Sequence, residues 1–148
     1  MTDHSVIHST FTLERTYPVD TAKVFAAWSD PRTKRQWFAG GDTNGEYSMD
    51  FRVGGREVAS GDHNGQRVSF TTTYADIVDG ERIAYTSTMH FGEELTTVSL
   101  TTVEFVSTAD ATKLVLTEHG AYLDGHEKPE WREEGTSSQL DSLATVLA

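Results

Sequence analysis

The feature that most constrains the fold is a long periodic segment at the C-terminal end, residues 131–148. Seven of its residues recur at the spacing of one helical face: Glu133, Thr136, Ser137, Leu140, Leu143, Ala144 and Leu147. The second half of this stripe is apolar, whereas the first half presents small or polar groups that cannot fill a core. The pattern predicts a helix whose leucine-rich half seals a core and whose polar half, at Thr136, roofs a hollow against a sheet.

Most of the remaining chain alternates between apolar and polar residues with the period of two that is typical of strands. We predict seven strands, at residues 8–17, 46–53, 56–63, 67–78, 82–91, 95–107 and 112–122. Asn64-Gly65 is a strong signal for a hairpin turn because both residue types accept positive φ. Short loops between successive strands favour an antiparallel meander over a parallel sheet with crossover helices.

Two short helices are predicted between the first and second strands. Asp20 or Thr21 can cap the first helix, and Asp30-Pro31 begins the second with a side-chain cap followed by proline at the first helical position. Gly40-Gly41 is expected to end the second helix. The predicted order is therefore one strand, two short helices, six strands and one long helix.

Composition narrows the classes of protein to consider. A chain of 148 residues is most simply one domain, residues 1–148, and it has no cysteine for disulfides or thiol chemistry. The net charge of −11 argues against nucleic acid or an anionic membrane as a partner. No apolar stretch approaches the roughly 20 residues that span a bilayer, and residues 1–10 lack the features of a secretory signal. We therefore expect a cytoplasmic protein.

Several short sequence motifs lie along the chain in a characteristic order: Arg15-Thr16-Tyr17, residues 24–31, Trp37-Phe38, residues 49–55, Thr117-Glu118, Leu123-Asp124-Gly125 and residues 140–143. Together they resemble the heat-shock-protein ATPase activator homologue family. This family is a branch of the START-like or helix-grip superfamily, which includes the birch-pollen allergens and polyketide cyclases. One departure is Phe38, which stands where many relatives have a second tryptophan and could reshape the mouth of a pocket.

The resemblance implies an α+β helix-grip fold, in which a curved antiparallel sheet wraps around the long C-terminal helix. In this family a cavity between sheet and helix often holds a hydrophobic small molecule. The family takes its name from a co-chaperone in which such a domain is attached to a separate chaperone-binding domain. A single domain here would lack that second half.

Glu118 is the first candidate for a functional role because it lies in phase with the apolar Leu114 and Leu116 and should point into the hollow. Burial raises the pKa of a carboxyl group, which suits it to contact a ligand or to act as a general acid or base. The alternative is a structural carboxylate that is hydrogen-bonded to the backbone or paired with an arginine.

Aromatic and sulfur-containing side chains supply the other candidates for ligand contact. Trp37 and Phe38 precede a glycine pair and are predicted at the rim of the pocket, Tyr85 and Met89 share the apolar face of one strand and form its wall, and Thr136 roofs it. We predict no metal site, because the histidines show no ligand spacing, and no cofactor. Asp50 and Arg52 share a face and are expected to have a structural role, paired either with each other or with a residue of a neighbouring strand.

Three functions follow from these observations. The first is binding of a mainly hydrophobic small molecule in the cavity. The second is an enzyme resembling polyketide aromatases and cyclases, which would need at least two titratable groups converging on the cavity, whereas the sequence offers one. The third is stimulation of a chaperone ATPase. Several aromatic side chains cannot be assigned to the protein interior. An exposed apolar patch formed by them suggests either a weak homodimer or a ligand entrance.

Overall fold

The computed structural model describes residues 4–39, 45–63 and 65–148. It contains seven strands and three helices in these ranges: β1 Val6–Tyr17, α1 Thr21–Ser29, α2 Pro31–Phe38, β2 Glu46–Met49, β3 Arg56–His63, β4 Gln66–Val78, β5 Arg82–Phe91, β6 Glu94–Ser107, β7 Thr112–Leu123 and α3 Pro129–Leu147. The predicted order of elements is confirmed. The turn predicted at Gly40-Gly41 and the first residue of the turn at Asn64 lie outside the described residues.

All seven strands form one antiparallel sheet in the order β1-β7-β6-β5-β4-β3-β2. Strands β2 to β7 follow one another as the predicted meander, and β1 pairs with β7, so the sheet has open edges at β1 and β2. Register shifts interrupt the ladders at Tyr74/Asp76 and at Met89/His90. Such bulges bend the strands that carry them. The sheet is curved and unclosed, and together with α3 it forms the predicted α+β helix-grip fold.

The strand predicted at residues 46–53 is shorter than expected. β2 ends at Met49, and its chain then turns so that the Asp50 backbone N–H donates to the Arg56 carbonyl oxygen at 2.9 Å. Gly54 has φ +83°, a conformation that glycine adopts easily and that does not fit a strand. The predicted pairing of Asp50 with Arg52 is confirmed, with 2.7 Å between Arg52 Nε and Asp50 Oδ2, but on an exposed turn.

The two short helices begin as their capping residues predict. The Asp20 carboxylate accepts a hydrogen bond from the Lys23 backbone N–H at 2.9 Å. Asp30 ends α1 and caps α2, where its carboxylate accepts from the Thr33 backbone N–H at 3.3 Å. These contacts satisfy backbone donors that have no partner inside a helix. The capping residues at the start of each short helix are therefore sufficient to predict where that helix begins.

Helix α3 buries a face that differs in part from the predicted stripe. The buried residues are Arg132, Thr136, Leu140, Leu143 and Leu147. The prediction was wrong for Glu133 and Ala144, which are exposed, and Ser137 is half-buried. Arg132 takes the inward position instead, because it has buried carboxylate partners on neighbouring elements.

The core lies where the C-terminal half of α3 meets the sheet and the first two helices. Leu143 and Val24 are fully buried, and the Tyr17 hydroxyl donates to the Leu140 carbonyl oxygen at 2.9 Å. This arrangement fixes α3 against β1 and leaves its N-terminal half above the middle of the sheet. Among the described residues, no helix is long and apolar enough to cross a membrane.

Candidate functional site

A cavity of about 350 Å³ lies between the sheet and the N-terminal half of α3. All six residues predicted as ligand contacts line it: Trp37 and Phe38 from α2, Tyr85 and Met89 from β5, Glu118 from β7 and Thr136 from α3. The sheet and both helices thus bring together residues that are up to 99 positions apart in sequence (136 − 37). Their role in contacting a ligand stays a prediction.

Helix α3 covers the cavity with small residues, which do not fill the space beneath them. Gly135 and Thr136 line the cavity, and the Thr136 hydroxyl donates to the Arg132 carbonyl oxygen at 2.9 Å. That hydroxyl is therefore already satisfied within the helix. Gln139 Nε2 donates to the Phe38 carbonyl oxygen at 3.0 Å, which ties α3 to α2 at the edge of the cavity.

Three buried charged side chains meet at one wall of the cavity, and we call them the Glu118–Arg132–Glu127 cluster. Arg132 Nη1 donates to Glu118 Oε2 at 3.2 Å, and Arg132 Nε donates to Glu127 Oε2 at 3.4 Å. The Thr101 hydroxyl donates to Glu118 Oε1 at 2.9 Å. The hydroxyl of Thr97 donates to Glu127 Oε1. Each carboxylate therefore has one guanidinium and one hydroxyl partner, as buried carboxylates require.

The cluster holds two carboxyl groups and one guanidinium, so full ionisation would leave one negative charge uncompensated. Burial raises the pKa of Glu118, opposed by the neighbouring Arg132 and by the Thr101 hydroxyl. Burial alone would lower the pKa of Arg132, but Glu118 and Glu127 outweigh it and the pKa is raised. The arginine therefore stays charged, and Glu118 keeps its proton to higher pH than an exposed glutamate.

Both hypotheses for Glu118 have a basis in this geometry. The carboxyl group is paired with an arginine, as the structural alternative requires, and it also lines the cavity, as the functional one requires. The sequence reasoning missed its partners Glu127 and Arg132. Arg132 stands one helical turn before Thr136, so a stripe drawn through Thr136, Leu140 and Leu143 would have included it.

A second buried ion pair lies behind the aromatic side of the cavity. Lys34 Nζ is 3.0 Å from Glu57 Oε1, and both side chains are 2% exposed. The Tyr47 hydroxyl donates to Glu57 Oε2 at 2.7 Å, and the Tyr74 hydroxyl donates to Glu57 Oε1. Burial lowers the pKa of Lys34, an effect that Glu57 opposes. This pair was not predicted, because a lysine in a short helix is ordinarily solvated.

Lys34 also faces the aromatic rings that line the cavity. Its Nζ lies 4.5 Å from the ring centre of Phe38, 5.0 Å from that of Trp28 and 5.5 Å from that of Trp37. Trp28 and Trp37 pack edge to face with centroids 4.8 Å apart. These contacts hold the rings of α1 and α2 in one orientation. The aromatic wall is therefore rigidly supported from behind.

A larger space of about 570 Å³ adjoins the cavity. The two spaces share Ala59, Met89, Glu127 and Trp131 among their lining residues. Trp131 is 55% exposed, at the first turn of α3. The shared residues show that the two spaces lie side by side. Elsewhere in the described ranges, no group of three or more histidine, aspartate or glutamate side chains could hold a metal ion.

Solved structures of similar proteins have the same architecture. The Mll3558 protein from Rhizobium loti is 45% identical, with a TM-score of 0.91 over 97% of this chain and 99% of that one. A protein from Rhizobium leguminosarum is 40% identical, with a TM-score of 0.94 over 99% of this chain and 98% of that one. CalU16 from Micromonospora echinospora is 17% identical, with a TM-score of 0.67 over 100% and 87% of the two chains, and shares the fold. A comparison with curated proteins gave no match.

The sequence profile of one family covers most of the chain. The profile described as "Activator of Hsp90 ATPase homolog 1-like protein" matches residues 18–148. The match begins just after β1 and includes strands β2 to β7 and all three helices. The chain therefore belongs to the family of Activator of Hsp90 ATPase homolog 1-like proteins, within the START-like helix-grip fold.

Proposed function

We propose that this protein binds a mainly apolar small molecule in the cavity between the sheet and α3. The observation that carries the proposal is the cavity itself, about 350 Å³ in volume and lined by six aromatic rings with a few polar groups at one wall. Binding sites for small molecules are commonly about 300–1,000 Å³ and have this mixture of apolar lining and few convergent polar groups.

The lining suggests how a ligand would be oriented. The rings of Trp37, Phe38 and Tyr85 supply apolar contact, and the Glu118–Arg132–Glu127 cluster supplies the polar end. Thr136 and Met89 complete the contact set. The volume is at the small end of the usual range, which favours a compact ring compound over a long chain.

Thermal unfolding in the presence of candidate ligands tests the proposal. The panel contains fatty acids, flavonoids, steroids and aromatic polyketides. A ligand present at about 100 times its dissociation constant adds roughly 2.7 kcal/mol to the free energy of unfolding. For a domain of this size, that corresponds to a rise of several degrees in Tm.

A pair of matched variants separates an internal site from surface binding. Thr136→Trp fills the roof of the cavity, whereas Ser142→Trp adds the same ring at an exposed position of the same helix. We expect the Thr136→Trp protein to lose the ligand-induced rise in Tm and the Ser142→Trp protein to keep it. A rise that survives in both variants, or no rise with any compound, would contradict the proposal.

The cyclase-like enzyme is the second candidate, and one observation favours it. The sequence offered a single titratable group for the cavity, but the structure adds Glu127, which shares Arg132 with Glu118. Acid–base catalysis commonly uses two titratable groups at one site. Turnover of a bound compound, followed by mass spectrometry and abolished in Glu118→Gln while binding persists, would establish this function.

The family description also suggests an interaction with a chaperone. A direct assay of chaperone ATPase rate with and without the protein tests this idea, and a flat response would remove it. The weak homodimer likewise stays a prediction. Sedimentation over a range of protein concentrations tests it.

A further inference from the structure

We propose that the Glu118–Arg132–Glu127 cluster makes the cavity selective by charge: it accepts an uncharged ring compound with a hydrogen-bond acceptor oxygen, such as a ketone, and rejects the matching carboxylate. This inference rests on the proposed function and names the chemical class of its ligand. It is carried by the charge balance of the lining and by one guanidinium nitrogen whose partner among the described residues is a thioether sulfur.

The charge balance of the cavity opposes an anion. Its charged lining residues are Glu118, Glu127 and Arg132, which are two acids and one base. The other buried cation among the described residues, Lys34, is already paired with Glu57 at 3.0 Å. A ligand carboxylate would add negative charge beside carboxyl groups that a single guanidinium already has to serve, in surroundings where water screens charges poorly.

The adjoining space does not reverse this balance. Its lining includes the acids Glu46, Asp62 and Glu127 against the base Arg35, together with His63. The whole chain has a net charge of −11. An anionic ligand would therefore meet negative potential on its way in as well as in the cavity.

Arg132 supplies a donor suited to a neutral oxygen. Its Nη1 and Nε donate to Glu118 and Glu127, whereas the contact of its Nη2 is the Met89 sulfur at 3.9 Å. A thioether sulfur is a weak acceptor, and a guanidinium has five N–H groups to place. A carbonyl oxygen that displaced Met89 would give Nη2 a stronger partner without adding a net charge.

Cationic ligands are disfavoured for a different reason. The faces of the cavity rings already carry cations of the protein itself: the Arg132 guanidinium carbon lies 5.3 Å from the ring centre of Phe70, and Lys34 Nζ lies over Phe38 and Trp37. An ammonium ligand would have to share these rings with two fixed positive charges. A neutral ligand with an acceptor oxygen therefore avoids both the repulsion expected for an anion and the competition for ring faces expected for a cation.

A matched series on one ring system tests the inference. We would measure the dissociation constants of 2-acetylnaphthalene, 2-naphthoate and 2-naphthylmethylammonium at pH 7.5 by titration calorimetry. We expect the ketone to bind about tenfold or more tightly than either ion, since an uncompensated charge in a buried site costs at least this much. Glu127→Gln should improve naphthoate binding several-fold relative to the ketone, because it removes one negative charge and retains the side-chain shape. The control Glu130→Gln, at an exposed position in the first turn of α3, should leave all three constants unchanged.

The outcomes separate this inference from the proposal on which it rests. Naphthoate or the ammonium compound binding as tightly as the ketone, or a Glu127→Gln protein with unchanged preference, would overturn the charge selectivity while leaving the binding function in place. Failure of all three compounds to bind, with no ligand in the wider panel raising Tm, would overturn the binding function and this inference together.

Discussion

Replacing Lys34 with methionine should strongly destabilise the protein, although the substitution creates almost no cavity. Methionine is similar in length to lysine and adapts to irregular spaces, so the packing around Trp28 and Trp37 can be kept. The substitution removes the ammonium group 3.0 Å from Glu57, and both side chains are 2% exposed. The loss is therefore electrostatic in origin.

The expected magnitude follows from what surrounds Glu57. Removing one partner of a buried ion pair typically costs about 3–5 kcal/mol, because the other charge is left buried without compensation. The hydroxyls of Tyr47 and Tyr74 still donate to Glu57, which favours the lower part of that range. Contacts of Lys34 with three ring faces are lost at the same time, which brings the expected loss back toward the upper part of the range. We expect a total loss of about 3–5 kcal/mol.

Urea unfolding followed by tryptophan fluorescence measures this loss as the change in midpoint at constant slope. In a thermal experiment, the same loss corresponds to a fall in Tm of roughly 6–20 °C, at about 2–4 °C for each kcal/mol.

Two further variants make the prediction refutable. The double variant Lys34→Met/Glu57→Gln contains no buried charge at this site and should recover most of the lost stability. Asp76→Asn breaks an exposed pair, with 2.7 Å between Arg82 Nε and Asp76 Oδ2, and should have little effect because solvent screens it. The reasoning is wrong if the single variant loses no more stability than Asp76→Asn, or if the double variant is no more stable than the single one.

Three other predictions test the site and the helix that covers it. Because burial raises the pKa of Glu118 above the ordinary value of 4.5, the folded protein binds that proton more tightly than the unfolded chain, so stability falls as the pH rises above this value; in urea unfolding, the stability of Glu118→Gln relative to the parent should therefore increase as the pH is raised. Gly120→Ala should cost about 1–3 kcal/mol, because a β-carbon there would lie 2.9 Å from Tyr122 Cε1 on a buried ring, and Gly120→Ala/Tyr122→Leu should recover part of the loss in calorimetry. Leu143→Ala should cost about 2–5 kcal/mol, because that side chain is fully buried, whereas Ala144→Lys at the adjacent exposed position should leave Tm within a degree or two; equal effects at the two positions would contradict the buried face of α3.

Much of the fold could be predicted because its signals are local. The predicted bounds of β5, residues 82–91, agree with the structure, and those of β3, at residues 56–63, agree as well. Alternation and turn residues define such strands without reference to the rest of the chain. The exception is β2, where alternation continues past Met49 although the backbone turns. There the positive φ of Gly54 decides the geometry, and the side-chain pattern does not record it.

The charged part of the site could not be predicted in the same way, because its burial depends on distant partners. Neighbouring residues on a helix are about 100° apart, so Glu133 and Arg132 compete for the same inward position. A local sequence pattern either assigns both side chains to solvent or places inside the one that fits the predicted stripe of α3. What places Arg132 inside is Glu118 on β7, 14 residues earlier, together with Glu127. Lys34 is likewise placed by Glu57, 23 residues later.

Two buried cations among the described residues each tie a helix to the sheet. Lys34 ties α2 to β3 through Glu57, and Arg132 ties α3 to β7 through Glu118. Buried ion pairs add little net stability compared with hydrophobic packing, and apolar replacements of both partners are often neutral or better. Buried ion pairs do require a fixed geometry. A purely apolar wall around an open hollow has no such requirement, because apolar side chains gain free energy by moving together. The double variant Lys34→Met/Glu57→Gln should therefore keep most of its stability yet lose affinity for ligands of the cavity, because Trp37 and Phe38 lose the contacts with a fixed cation that restrict their orientation. A double variant that binds as the parent does would show that packing alone keeps the hollow open.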